Sequence, residues 1–116
     1  MCRMAKDDAQ HQLREALNLE LRRGAVILAV LSQLTTEHYG YSLKRRLNEK
    51  GFTIDEGTLY PLMRRLETQG LLASSWRIED GRPRRYYQLS DAGVRIFEEL
   101  RTDWKHLADT MGGLLR

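Results

Sequence analysis

The 116-residue sequence has few of the residues on which small disulfide-linked, metal-binding or membrane-spanning proteins depend. Its single cysteine, Cys2, excludes an intrachain disulfide and a cysteine-based zinc set. His11, His38 and His106 are too far apart in sequence to share a metal-ligand spacing. The longest apolar run, Ala25 to Leu31, is far too short to span a bilayer. We therefore expect no metal, no cofactor and no membrane contact.

A recognisable catalytic set is also missing. Catalysis needs a positioned nucleophile, an acid–base pair or a metal, and no serine–histidine–aspartate, cysteine–histidine or metal-spaced set stands out. No signal-peptide pattern opens the chain. With 41% apolar residues and a mean hydropathy of −0.55, the chain fits one soluble domain whose modest core a partner subunit completes. We expect a cytoplasmic protein that is not an enzyme.

Positive charge is concentrated in one part of the chain. Residues 44–85 hold ten basic and six acidic residues, a net charge of +4, whereas the whole chain carries +3. The remainder of the chain therefore carries a net charge of −1. Such a local excess of positive charge is the electrostatic footprint of a protein that binds a polyanion.

The segment from Asp55 to Gly70 predicts a helix with two unlike faces. Asp55 is placed to cap its start and Gly70 to end it. One face is an apolar stripe of Leu59, Leu62, Met63 and Leu66. The opposite face is small, polar or basic, with Gly57, Pro61, Arg64 and Thr68 flanked by Thr58, Tyr60 and Arg65. This face suits a phosphate-lined groove, and the alternative is an ordinary surface helix.

Proline disfavours a regular helix at this point. Pro61 removes one helical hydrogen bond and crowds the carbonyl group of Gly57. We therefore expect the helix either to begin later than Asp55 or to bend at the proline.

A hairpin is predicted directly after this helix. Residues 71–78 and 86–89 are strand candidates, and Asp80–Gly81 is a turn signal between them. Arg82, Arg84 and Arg85 fall at the tip and the returning edge. A basic hairpin after a basic helix is a winged-helix arrangement. The alternative is a charged turn that maintains solubility, but three arginines within four positions favour nucleic-acid binding.

Further helices are predicted on both sides of this unit. Residues 1–8 are polar and expected to be loose, and helical periodicity then runs from residue 9 to 34, with Asn18 and Gly24 as candidate break points. Residues 35–39 are expected to form a turn, and a second helix from Gly40 or Ser42 to Lys50 would then complete a helix-turn-helix. We expect a mainly α fold with a small β-hairpin. Residues 9–89 would form the winged helix-turn-helix and 90–116 a C-terminal dimerisation helix.

The last predicted helix, which Ser90 would cap and which would reach Met111 before Gly112 and Gly113, has a heptad seam. Its apolar residues are spaced three and four apart: Phe97, Leu100, Trp104, Leu107, Met111 and Leu114. A heptad seam needs a partner helix, so we expect a homodimer. The alternative is that the seam packs on its own domain.

Several segments resemble the PadR family of transcriptional regulators. The most specific are Gly57–Leu62, which reads Gly-Thr-Leu-Tyr-Pro-Leu, and Arg85–Ser90, which reads Arg-Tyr-Tyr-Gln-Leu-Ser. Shorter matches are Leu21–Gly24, Ile27–Leu28, Gly40–Tyr41, Arg65–Glu67 and Gly70–Leu71. The amphipathic section before Gly24, and Trp104, look most like the small multidrug-sensing members. The family's usual His-Gly-Tyr is replaced by His38–Tyr41, so His38 carries no family role.

The resemblance implies a homodimeric repressor whose affinity for double-stranded DNA falls when a small, often aromatic, molecule binds. The residues expected to contact an inverted-repeat operator are Lys44, Thr58, Tyr60, Arg64, Arg65, Arg82, Arg84 and Arg85. The expected dimer contacts are Phe97, Leu100, Trp104, Leu107 and Met111. The competing hypothesis is a winged-helix module that binds protein and not DNA.

Trp104 also suggests where a ligand would bind. On a two-fold interface it meets or approaches its own copy, and two indole rings with a gap between them accept a planar aromatic molecule. Phe97 and Leu100, with Leu13, Ala16 and Leu17 of the first helix, could line this slot. The alternative is that Trp104 only anchors a filled interface.

Overall fold

Helices and a small sheet alternate along the chain in the order that a winged helix requires. The computed structural model describes residues 2–116, with side chains from Ala5 onwards. In this described part the elements are α1 (Cys2–Gln33), β1 (His38–Tyr39), α2 (Gly40–Glu49), α3 (Glu56–Thr68), β2 (Leu72–Glu79), β3 (Arg82–Leu89) and α4 (Asp91–Leu114). None of the helices in this part is long and apolar enough to cross a membrane.

Helix α1 is a single helix of 32 residues that runs through Asn18 and Gly24 without a break. It is already helical from Cys2, so residues 2–8 do not form the separate loose segment that the sequence predicted; residue 1 lies outside the described residues. The reason is local, since residues 5–8 contain neither glycine nor proline and can extend the helix. Only the last part of α1 packs in the core, through Val30 and Leu31, and Leu34 follows them directly after the helix ends.

Helix α3 begins at Glu56 and contains Pro61 in its second turn. The predicted cap is confirmed, because the Asp55 carboxylate accepts a hydrogen bond from the backbone N–H of Thr58 at 3.0 Å. The expectation of a later start is wrong. Burial of Leu59, Leu62 and Met63 on both sides of the proline offsets the missing hydrogen bond.

The core lies where α1, α2 and α3 meet the hairpin. Its side chains are Val30, Leu31, Leu34, Leu43, Leu47, Ile54, Leu59, Leu62, Met63, Leu66, Leu72, Tyr87 and Phe97. The α3 stripe predicted from periodicity is buried in full, and its opposite face is therefore left for solvent.

The sheet has three antiparallel strands in the order β1-β3-β2. The sequence predicted only a turn where β1 lies, because two residues are too few to show strand alternation. His38 and Tyr39 pair with Tyr87 and Tyr86 of β3. Strand β3 begins at Arg82, four positions earlier than predicted, because Asp80 and Gly81 (φ 52° and 75°) form a two-residue hairpin turn. The arginines are therefore strand residues.

Helix α4 is fixed at its start and extends beyond its predicted end. The Ser90 hydroxyl accepts a hydrogen bond from the N–H of Gly93 at 3.0 Å, which confirms the predicted cap. Gly93 packs so closely that an added Cβ would lie 2.0 Å from the carbonyl oxygen of Leu71. The helix then continues past Met111 to Leu114.

Candidate nucleic-acid interface

The outer face of α3 is free for a partner. Thr58, Arg64 and Arg65 are all exposed on it. Within the described part of the chain, the guanidinium groups of Arg64 and Arg65 have no recorded hydrogen bond or ion pair. Two unpaired cations and a hydroxyl on an exposed helix face can contact phosphates and base edges.

Two predicted contact residues near this face are already engaged. Tyr60 is half-buried against Gly40, where an added Cβ would lie 2.6 Å from its Cε1 atom. Burial and the neighbouring Glu56 raise the pKa of Tyr60. Lys44 forms an ion pair with Glu56 at 3.6 Å, so its charge is partly compensated.

The hairpin of β2 and β3, Leu72–Leu89, is called the wing here. The register of β2 and β3 pairs Arg84 with Arg77 and Arg85 with Trp76. Because successive side chains of a strand point to opposite faces, the side chains of Arg84 and Arg85 leave β3 on opposite faces of the hairpin. Arg84 lies over the Tyr39 ring at 4.6 Å from the ring centre and forms an ion pair with Glu79 at 3.4 Å.

The other two arginines predicted as wing contacts, Arg82 and Arg85, differ in their surroundings. Arg85 donates to Glu67 of α3 at 2.7 Å and to Ser74 of β2 at 3.0 Å. Arg82, at the tip, is exposed and has no recorded side-chain partner within the described residues. Arg82 is therefore the wing cation most available to a phosphate.

A groove of about 400 Å³ separates α3 from the wing. Three arginines and five aromatic rings line it: Arg64, Arg84, Arg85, Tyr39, Tyr41, Tyr60, Trp76 and Tyr87. The groove is open to solvent along one side. A concave, cationic surface between a helix and a hairpin can hold the sugar–phosphate backbone of one strand of a duplex.

The seam of α4 divides into two parts. Phe97 is only 9% exposed and belongs to the core, and Leu100 packs against that core. Trp104, Leu107 and Met111 are 48%, 53% and 39% exposed. The first part of the seam therefore packs on its own chain, and the second part is available to another molecule.

A hollow of about 400 Å³ lies beside Trp104, between α1 and α4. Its walls are Ala25, Leu28, Ala29, Ser32, Phe97, Arg101 and Trp104. Leu13, Ala16 and Leu17 do not line it; they are exposed on α1, about 12–18 Å before Ala25 at the helical rise of 1.5 Å per residue. Within one chain the structure therefore brings together only part of the predicted ligand set.

Comparison with known proteins identifies the family. The sequence model of the "Transcriptional regulator PadR-like family" matches residues 27–99, more than half of the chain. This chain belongs to the PadR-like family. A transcriptional regulator from Mycobacterium tuberculosis is 40% identical over 96 residues, covering 81% of this chain and 90% of that protein.

Solved PadR-family structures share the fold. The crystal structure of a PadR family transcriptional regulator from Eggerthella lenta is 47% identical, with a TM-score of 0.84 and 97% of both chains covered. A PadR-like regulator from Bacillus cereus is 30% identical, with a TM-score of 0.75 and 84% and 97% of the two chains covered. The predicted winged-helix fold is therefore confirmed, and the chain is a PadR-like transcriptional regulator.

His38 has a structural role in this PadR-like chain. Its Nδ1 atom lies 3.1 Å from the Ser42 hydroxyl and its Nε2 atom 3.5 Å from that of Thr36. Burial, and then the positive charge of Arg46, lower the pKa of His38. His38 therefore joins β1 to α2.

Sequence reasoning missed the acidic partners of the PadR-like wing. Glu67 and Glu79 hold Arg85 and Arg84, and Glu37 forms an ion pair with Arg77. No helical or strand periodicity links such distant pairs. The one available signal was that Glu67 and Arg85 both lie in segments resembling the family.

Proposed function

We propose that this PadR-like regulator is a homodimeric repressor that places α3 in the major groove of an inverted-repeat operator. The observation that carries the proposal is the exposed outer face of α3, where Arg64 and Arg65 have no recorded ion pair with any described residue and Thr58 adds a hydroxyl group. The wing adds Arg82 at its tip, where a phosphate or the minor groove would lie. Regulation of this kind needs binding alone, so the proposal includes no catalytic step.

Exposed apolar side chains support the homodimer. Leu13, Leu17 and Leu21 of α1 are all more than half exposed, and Trp104, Leu107 and Met111 add to this surface on α4. Large apolar side chains exposed on a helix face mark an interaction site. A second copy offers the same seam, and heptad spacing suits helix-to-helix packing.

We further propose that a planar aromatic molecule binds beside Trp104 and releases the repressor from DNA. The half-exposed indole and the adjoining hollow support this step. Leu13 and Leu17 can join the site only from the partner chain. The molecule acts as an inducer if it binds the dimer geometry that does not fit DNA better than the one that does.

DNA binding is tested by titrating a labelled duplex with Arg64→Ala. We expect this change to cost about 1–3 kcal/mol of binding free energy and to alter sequence preference. Arg95→Ala, which removes an equal charge from an exposed site on α4, is the matched control and should bind as wild type does. Wild-type protein that fails to bind duplex at low salt would favour a protein-binding module.

Ligand binding is tested by tryptophan fluorescence in a Trp76→Phe background, which leaves Trp104 as the emitter. Planar aromatics should quench its emission saturably and should weaken DNA binding over the same concentration range. Trp104→Ala should lose that response at concentrations where it is still dimeric. If no planar aromatic in a panel quenches the emission saturably, the ligand proposal fails and Trp104 is only an interface anchor.

A further inference from the structure

We infer that Glu67, Ser74 and Arg85 form a wing latch that sets the angle between α3 and the wing, so that Arg85 is a positioning residue for DNA binding and not itself a phosphate contact. The inference rests on the proposed DNA-binding function. It reassigns a residue that the sequence grouped with the direct DNA contacts.

The wing latch is a closed ring of hydrogen bonds joining three elements. Arg85 of β3 donates from Nη2 to Glu67 Oε1 at 2.7 Å and from Nε to Ser74 Oγ at 3.0 Å. The Ser74 hydroxyl of β2 donates to the other carboxylate oxygen, Glu67 Oε2. Glu67 lies in the last turn of α3, so the ring joins the end of that helix to both strands of the wing.

The guanidinium group of Arg85 uses two of its five N–H donors in the wing latch, and Glu67 already neutralises its charge. Besides its two hydrogen-bond partners, it lies 5.7 Å from the Trp76 ring centre and 5.6 Å from that of Tyr87. The hydrogen bond from Ser74, and then Arg85, hold the pKa of the Glu67 carboxyl below its ordinary value, so the pair is charged at neutral pH. A phosphate bound by Arg85 would place a second anion beside the Glu67 carboxylate, so the attraction would be weaker than at an arginine without an acidic neighbour.

The opposite face of the wing contacts the segment around β1. Arg77 forms an ion pair with Glu37, and Arg84 lies over Tyr39, so these contacts join the wing to the segment around β1. Among the described residues, the side-chain hydrogen bonds recorded between α3 and the wing all belong to the wing latch. Loss of the latch would therefore leave the wing held to α3 by core packing through Leu72 and Tyr87 but without these hydrogen bonds, so its angle to α3 would be less closely fixed while its contacts with β1 remained.

Removing the charge of Glu67 distinguishes two roles for Arg85, as a latch residue or as a direct phosphate contact. If Arg85 bound phosphate, Glu67→Gln would free it and remove a negative charge near DNA, and binding would hold or strengthen. With a latch, Glu67→Gln should weaken binding on the order of tenfold, because hydrogen bonds between charged groups are lost. The log–log salt slope should fall in magnitude by about 1 as the wing tip loses its phosphate. Reduced folding alone would leave that slope unchanged.

Exchanging the charges of Glu67 and Arg85 gives a second test of the wing latch. Arg85→Glu should bind weakly, and the double variant Glu67→Arg with Arg85→Glu should recover most of the lost affinity, since the ion pair is restored in the opposite sense. A direct contact predicts no recovery, because a carboxylate would still occupy the DNA-facing position. The inference is overturned if Glu67→Gln binds duplex as wild type does, or if the double variant binds no better than Arg85→Glu.

A readout without DNA separates failure of the latch from failure of the proposed function. Trp76 pairs across the strands with Arg85, so its emission reports on the latch. In a Trp104→Phe background, Glu67→Gln should lower the fluorescence anisotropy of Trp76, whereas Glu98→Gln, on the exposed side of α4, should not. Unchanged anisotropy in Glu67→Gln would overturn the latch even if the wild-type protein bound no DNA.

Discussion

The arginines near the groove differ in what their charges already contact. Arg64 and Arg82 are exposed and have no recorded side-chain partner in the described residues, whereas Arg84 and Arg85 face carboxylates. An arginine whose charge a carboxylate already neutralises attracts a phosphate less strongly. We therefore expect Arg64 and Arg82 to contribute more to DNA affinity by direct contact than their neighbours.

Arg82→Ala tests this difference at the tip of the wing. We expect weaker binding to all duplexes alike, with the magnitude of the log–log salt slope reduced by about 1, because one phosphate contact is lost. Sequence preference should be unchanged. Titrations at several salt concentrations measure both quantities, and wild-type affinity with an unchanged slope would show that the tip does not contact DNA.

His38 predicts a pH dependence of stability. Burial and Arg46 lower its pKa below the ordinary value of 6.5, so the unfolded chain takes up the proton first. The stabilising contribution of His38 is therefore present above pH 6.5 and is lost as the pH falls through the lower, folded-state pKa. NMR titration should show the His38 ring titrating below 6.5, and His38→Gln should flatten the fall in unfolding free energy. A ring titrating at or above 6.5 would contradict this account.

Site residues were predictable from sequence only where local signals exist. The exposed face of α3 follows from its 3.6-residue period, which placed Thr58, Arg64 and Arg65 outward. The pairing of Arg85 with Glu67 joins residues 18 apart and depends on hairpin register, which composition does not reveal. The distribution of basic residues along the sequence therefore indicated the proposed DNA-binding surface, but it did not show which arginines form ion pairs.

At the scale of elements, helix α3 and the hairpin turn were predicted because a cap, a stripe and an Asp-Gly pair are local. Strand β1 was not predicted, because its two residues form a strand only through their pairing with β3. Pro61 was expected to delay the start of α3 or to bend it, yet the helix begins directly after its cap at Asp55 and continues through the proline to Thr68. Tertiary burial decided the outcome wherever local preference was weak.

Gly93 tests how α4 is fixed to the wing. The carbonyl oxygen of Leu71, 2.0 Å from an added Cβ, also accepts the backbone N–H of Ser90 and cannot move freely. We expect Gly93→Ala to lower the free energy of unfolding by about 1–3 kcal/mol, as overpacking does. Denaturant unfolding measures the change.

Gly113→Ala on the same helix is the matched control for that measurement. No described atom lies within 4 Å of an added Cβ at Gly113, so alanine gains helix propensity there without a clash. We expect this variant to be as stable as wild type or more stable, by up to about 1 kcal/mol. Equal behaviour of the two variants would refute the close packing of α4 on Leu71.

At the scale of the whole molecule, a single chain leaves apolar side chains of α1 and α4 exposed to solvent. Leu107→Asp should convert the dimer into a monomer, because it puts a charge into the exposed part of the seam. Ile78→Asp, at an 80% exposed apolar site on the wing, should remain dimeric. Sedimentation analysis distinguishes the two states. A monomeric wild type at micromolar concentration would rule out the dimer.

The central claim is that two copies of α3 read a two-fold symmetric operator. Selection of bound sequences from a random duplex pool tests it most directly. We predict enrichment of an inverted repeat whose half-sites are one helical turn, ~34 Å, apart, since that spacing suits paired recognition helices of a dimer. Enriched sequences without inverted symmetry, or no enrichment at all, would contradict the account.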